Sequence, residues 1–137
     1  MPNKTSALEW LRIAYHDLIS ATILYDAGHF TDSIGNDLQQ SIEKILKSIT
    51  AYESAPIKKS HDLLEIYGSV KQALTLSSEE LTYLERATEY FKEDRYPNPY
   101  YSLPPREEIK EVLDFTNAIF ERVCSLLDIS IDEIKAQ

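Results

Sequence analysis

The sequence predicts an all-α fold, an up-and-down antiparallel bundle of four to five helices formed by a single domain over residues 1–137. Three observations carry that expectation. Glycine occurs only 3 times in the chain, and the alternating apolar and polar runs that mark strands are absent. Leu, Glu, Lys and Ala, which lose little on entering a helix, are plentiful, as is Ile. Apolar residues recur at threes and fours through most of the chain. A chain of 137 residues can bury a real core without metals or disulfides.

Helix one is expected over about 7–26. Ser6 and Glu9 have capping-box spacing, and Leu8, Leu11, Tyr15, Leu18, Thr22 and Tyr25 form the apolar series. Gly28 stands where a helix stop favours a left-handed residue, and Thr31 or Asp32 can cap the next start. Helix two, about 32–53, is the organising element. Its face is Ile34, Leu38, Ser41, Ile45, Ile49 and Tyr52, widened by Ile42 and Leu46. Gln40, Lys44 and Lys47 border that face on one side, Gln39 and Glu43 on the other, and the helix ends before Pro56.

Ser60 is expected to cap a third helix, about 61–74, with Leu63, Ile66, Tyr67, Val70 and Leu74 inward. Ser77 and Glu80 form a capping box for a fourth helix, about 78–94, whose inner series is Leu84, Thr88, Phe91 and then Arg95. Four prolines and three tyrosines between Asp94 and Pro105 leave an irregular loop over about 95–104. Helix five, about 105–127, carries Ile109, Val112, Leu113, Thr116, Ile119, Phe120, Val123 and Leu127, with Glu107 and Glu108 at its positive end. Ser130 and Glu133 mark a short, frayed helical tail.

The charge balance of 14 basic against 23 acidic residues, net −9, opposes broad binding to nucleic acid through phosphates while leaving room for a local basic site. The lone Cys124 reads as a small core hydrophobe. With a single cysteine no disulfide framework is possible within the chain, so a reducing, cytoplasmic setting is the expectation, and no membrane span or amino-terminal apolar leader is evident. No metal-ligand spacing is present and no cofactor is implied, a nucleotide ligand aside.

Arg95 is the principal candidate residue. A cation at a helix C-terminus can simply bond the last carbonyls. Its planar fork also matches phosphate, and the tyrosines of the adjacent loop can supply ring surfaces for a base. His61, at a helix start where the dipole favours the neutral imidazole, can serve structure or act as base and hydrogen-bond partner. Glu43 and Lys47 form an i,i+4 pair that a surface location would make worth only a few tenths of a kcal/mol. Asp17 needs a partner, for which Lys44 and Lys47 are candidates.

Several segments together resemble the HEPN family of helical domains. They are Trp10, Ala14, Asp17, Leu18 and Ala21; Gln40, Ile42, Glu43, Lys44 and Lys47 within QSIEKILK; His61, Asp62 and Leu63; and Arg95, Tyr96 and Pro97. The resemblance implies a bundle that commonly forms a homodimer and is often encoded beside a minimal nucleotidyltransferase in a toxin–antitoxin or nucleotide-binding pair. It also implies, for many members, a metal-independent ribonuclease built on an Arg followed after four to six residues by a His. Arg95 matches that Arg, but the His positions hold Tyr100, Tyr101 and Ser102, and the position of the family's modified Tyr holds Ser102.

Three functional expectations follow. The first is a nucleotide- or partner-binding protein, non-catalytic alone, working with a separate nucleotidyltransferase, with Arg95 as phosphate clamp, Tyr96 and Tyr100 as stacking or hydroxyl groups, and His61 and Lys44 as accessories. The second is a ribonuclease toxin acting on RNA through Arg95 with His61 or Tyr100. In the third, a purely structural module, these residues are bundle-end contacts.

Overall fold

The computed structural model describes residues 2–91 and 103–136, and every described element is helical: α1 (Lys4–Asp26), α2 (Thr31–Tyr52), α3 (Leu63–Gly68), α4 (Ser78–Tyr90), α5 (Arg106–Leu126) and α6 (Ile131–Lys135). The all-α bundle expected from the sequence is what forms. α2 is its axis. Fifteen of its 22 residues are buried, because α1, α3, α4 and α5 all pack on it. The expected faces of α2 and α5 lie in the core, apart from Tyr52 at the rim, and Phe115 and Cys124 join the α5 face. Burial pushes the Cys124 thiol up to about 11, helped by nearby Glu121, so it is an inert core group.

α1 presents a different face from the expected one. Ala7, Leu11, Ala14, Leu18 and Ala21 are buried, while Leu8, Tyr15 and Tyr25 flank them. Alternating alanines let the α1 and α2 backbones approach closely, and Ser41 Oγ donates to the Ala14 carbonyl at 2.8 Å across that seam. Large side chains fit only at its edges. The helix also starts earlier than Ser6 implied, since Asn3 is the cap and accepts from the Ser6 N–H. Gly28, with φ 72°, fills the left-handed position that ends the turn after α1. α2 then begins after Phe30 without a side-chain cap, and Asp32 accepts from the Ser33 N–H instead.

α3 is shorter than the expected 61–74. Asp62, not Ser60, caps it by accepting from Leu64 and Glu65, while Ser60 Oγ accepts from the Asp62 N–H. Gly68 and Ser69, both weak helix formers, release the chain into turns that still bury Val70 and Leu74. The Leu76 N–H donates to the Tyr67 hydroxyl at 2.9 Å and fixes the exit.

The capping boxes of α4 and α6 form as expected. The inward residues of α4, however, are Leu84, Ala87 and Tyr90, with Leu81, Thr88 and Phe91 at the margin. Tyr90 lies on Gly35, where an added Cβ would come within 2.9 Å of its ring, and its hydroxyl donates to the Glu108 carboxylate. Burial and that acceptor raise the Tyr90 pKa. α4 stops at Tyr90 and Phe91 is extended (φ −70°, ψ 127°), so the helical count that carried the inner face to Arg95 ends short of it. Pro105 is the cap of α5 rather than its first residue. The tail is docked, not frayed: Ile134 is buried, and Arg12 Nη2 donates to the carbonyls of Glu133 and Ala136 at 2.9 and 3.2 Å. No helix among the described residues is long and apolar enough to cross a membrane.

Candidate functional site

Glu43 and Lys47 of QSIEKILK, with Gln39 just before it, meet the loop that precedes α3, whereas Ser41 and Lys44 face α1. Glu43 and Lys47 are one turn apart on the α2 edge over which that loop passes, and their side chains are only 6% and 9% exposed. This corrects the expectation of a surface pair. Glu43 accepts three hydrogen bonds: Gln39 Nε2 at 3.1 Å and His61 Nδ1 at 2.9 Å on one oxygen, Lys47 Nζ at 2.9 Å on the other. Burial alone would raise the Glu43 carboxyl, but these bonds, that of Lys47 foremost, outweigh it and hold the group below its ordinary value. Glu43 is therefore ionised near neutral pH.

The same side chains grip the loop backbone. Gln39 Nε2 also donates to the His61 carbonyl at 3.0 Å and Lys47 Nζ to the Ser60 carbonyl at 3.3 Å. Gln40 Nε2 donates to Gln39 Oε1 at 2.7 Å, orienting that amide, and Lys47 Nζ lies 5.9 Å from the centre of the Trp10 ring. On the far side of the loop the Leu63 N–H donates to Thr88 Oγ1 at 3.1 Å, which ties the start of α3 to α4.

His61 is thereby fixed at two points. An ionised Glu43 beside Nδ1 requires that Nδ1 carry the hydrogen, which directs the other ring nitrogen away from the carboxylate. One ring face stacks on Phe91, with centroids 4.2 Å apart and planes 20° apart, yet the side chain is still 50% exposed. Its electrostatic neighbour is Glu43 rather than the end of α3, which Asp62 caps. A ring held this way can act as a proton acceptor, a hydrogen-bond donor to an anion or a stacking surface.

Lys44 donates to Asp17 Oδ2 at 2.7 Å across the α1–α2 seam, so of the two candidate partners Lys44 meets that carboxylate. Its charge is already matched there. Lys58 and Lys59 are exposed in the loop that leads to His61, with Lys58 3.7 Å from Glu65. Arg95, Tyr96 and Tyr100 lie outside the described residues, as do the neighbouring Tyr101 and Ser102. Gln39, Glu43, Lys47 and Phe91 are the site residues that sequence reasoning missed. The available signal was the row Gln39, Glu43, Lys47 at i, i+4 and i+8 beside the apolar face of α2: Lys47 lies on the Glu43 side of that face, not with Gln40 and Lys44 as expected.

The HEPN domain family model matches residues 7–127. Among solved structures, TT1696 from Thermus thermophilus superposes with a TM-score of 0.73 at 22% identity, covering 88% of this chain and 97% of that one. ST0689, an archaeal HEPN homologue, gives 0.67 at 18% identity with the same coverage. These likenesses bear on the fold. No curated protein matches the chain.

Proposed function

The chain belongs to the HEPN domain family, and on that premise we propose that it is a nucleotide- or partner-binding member, non-catalytic alone, that works with a separate minimal nucleotidyltransferase. The observation that carries the reading is the 2.9 Å bond that buried Glu43 accepts from His61 Nδ1, which preorganises a half-exposed ring beside a lysine-bearing loop. Glu43 is matched by Lys47 and Glu65 faces Lys58, which offsets the acidic charge at those two positions. Arg95 supplies the planar fork for phosphate in this reading, Tyr96 and Tyr100 supply hydroxyls or rings, and a homodimer is the assembly.

Calorimetric titration of ATP, ADP and AMP into the purified chain tests ligand binding. Micromolar to millimolar affinity that weakens at least tenfold in Arg95→Ala is expected. No heat at millimolar ligand, or equal binding by the variant, rules the nucleotide reading out. Co-purification with the product of a neighbouring nucleotidyltransferase gene tests the partnership separately.

A ribonuclease reading is favoured by the same bond, because a carboxylate that orients an imidazole is the arrangement that prepares a general base. In it His61 takes the proton of a ribose 2′-hydroxyl as that oxygen attacks phosphorus. The P–O5′ bond breaks, leaving a cyclic phosphate and a 5′-hydroxyl, with Arg95 on the phosphoryl oxygens and Tyr100 protonating the leaving oxygen. Cleavage of tRNA or mRNA that disappears in both His61→Ala and Arg95→Ala selects this reading. Uncleaved RNA sinks it.

A further inference from the structure

We propose that the outer face of α1 is the surface on which two copies of this chain pair, with the two α1 helices antiparallel and meeting at Ile19. The inference rests on the homodimer included in the reading above and adds the face that makes it. α1 turns Ala7, Leu11, Ala14, Leu18 and Ala21 into the bundle. Its opposite side is not the polar surface that an outer helix ordinarily shows, because Ile13, Ile19 and Ile23 remain 46, 38 and 61% exposed there. Phe30, just past the end of the helix, is 66% exposed and lengthens the apolar strip. A helix that is apolar on both sides is suited to being covered on both.

Charge identifies the cover. Arg12, Ile19 and Asp26 stand at i, i+7 and i+14, so they form one row along α1 with each charge about 10 Å from the isoleucine. The row is positive at one end, apolar in the middle and negative at the other. A second copy laid antiparallel about Ile19 brings its Asp26 opposite Arg12, and the two-fold symmetry makes that contact twice. A parallel copy would set like charge against like. Arg12 Nη2 bonds the uncharged carbonyls of Glu133 and Ala136, and among the described residues no carboxylate pairs with it. Asp26 is exposed, and its cationic neighbour Lys110 is already bonded to Asp114 at 2.8 Å. Between the two charges the outward residues are Ile13, His16, Ile19, Ser20 and Ile23, so no carboxylate of this net −9 chain stands in the middle of the face. That is where two acidic copies can meet without repulsion.

The extent of the face sets the strength. With 23 residues, α1 projects an outer strip about 34 Å long and about 10 Å across. That is less than the roughly 800 Å² per partner of a standard stable interface, so the dimer should dissociate reversibly in the micromolar range. Sedimentation velocity on wild type from about 5 to about 500 µM should show monomer passing into dimer. Ile19→Glu should weaken the dimer at least about tenfold. Arg12→Glu and Asp26→Arg should each be monomeric alone, and an equimolar mixture should recover dimer, since one variant is negative at both positions and the other positive at both.

Ile19→Cys, at the symmetry axis, should cross-link to its own copy under copper-phenanthroline oxidation, whereas Glu85→Cys, exposed on α4, should not. Cys124 is buried and takes no part. Circular dichroism checks the fold of each variant, and the small change at Ile19→Cys keeps the test decisive if a charged variant misfolds. A wild-type chain that stays monomeric throughout overturns the face and the homodimer together. A dimer that Ile19→Glu leaves intact, an Ile19→Cys dimer that does not cross-link, or a folded charge-variant mixture that stays monomeric overturns the face and leaves the homodimer standing.

Discussion

Two acid–base pairs in this molecule share one sequence pattern and have opposite physical standing. Glu43 and Lys47 on α2 and Lys110 and Asp114 on α5 are both i,i+4 pairs with nitrogen–oxygen separations of 2.9 and 2.8 Å. The first pair is 6% and 9% exposed and the second 51% and 61%. Spacing alone brings the charges together. What the pair is worth depends on whether water remains beside it, and at Glu43 three fixed donors stand in place of water, Gln39 and Lys47 from α2 itself and His61 from the loop that covers them. The buried pair organises a site, whereas the exposed one decorates a surface.

Substitutions ordered by burial sharpen that contrast. Lys47→Ala leaves Glu43 covered and short of its strongest donor, and unfolding by urea should show a loss of about 3–5 kcal/mol. A loss below about 1 kcal/mol would place the pair in the exposed class. Glu43→Gln reads the same region through pH. The Glu43 carboxyl is held below its ordinary value in the folded chain, so its contribution is present above the unfolded carboxylate pKa and is lost as pH falls through the folded one. Thermal midpoints measured from neutral pH into the acid range should fall less steeply in Glu43→Gln than in wild type, and parallel curves would contradict the assignment.

Asp17→Asn touches the half-covered pair with Lys44, whose side chains are 25% and 19% exposed, and should cost about 1 kcal/mol. Asp114→Ala should leave the thermal midpoint unchanged within error, and a measurable drop would show that exposure is a poor guide here. A separate probe concerns the support beneath Phe91. Gly35→Ala puts a Cβ 2.9 Å from Tyr90 Cγ and should destabilise by about 1–3 kcal/mol, read by chemical denaturation.

Much of the fold was legible because its determinants are local. The capping boxes at Ser77 and Ser130, the left-handed Gly28 and the faces of α2 and α5 each follow from residues within a turn or two of one another. Departures from the sequence pattern have equally local explanations. Ser6 gives way to Asn3 and Ser60 to Asp62, since several residues near a helix start can cap and the competition turns on backbone geometry. The larger side chains of α1 suggest one face, whereas a close seam with α2 selects the alanines. Of the candidate site, His61 was visible as a lone titratable group, while its partners Glu43 and Phe91 are 18 residues before it and 30 after it in sequence.

Residue order is enough to make this chain helical, to place the starts of α1 to α5 to within a few residues though not the end of α3, and to show its resemblance to the family to which it belongs. That Glu43 and Lys47 are core charges, that Lys44 pairs with Asp17, and that His61 is pinned by Glu43 and stacked on Phe91 are outcomes of tertiary packing. Helical periodicity is a property of neighbours along the chain. Burial of a charge is a property of whatever segment returns to cover it, and here that segment is the loop that carries Ser60 and His61 back onto α2.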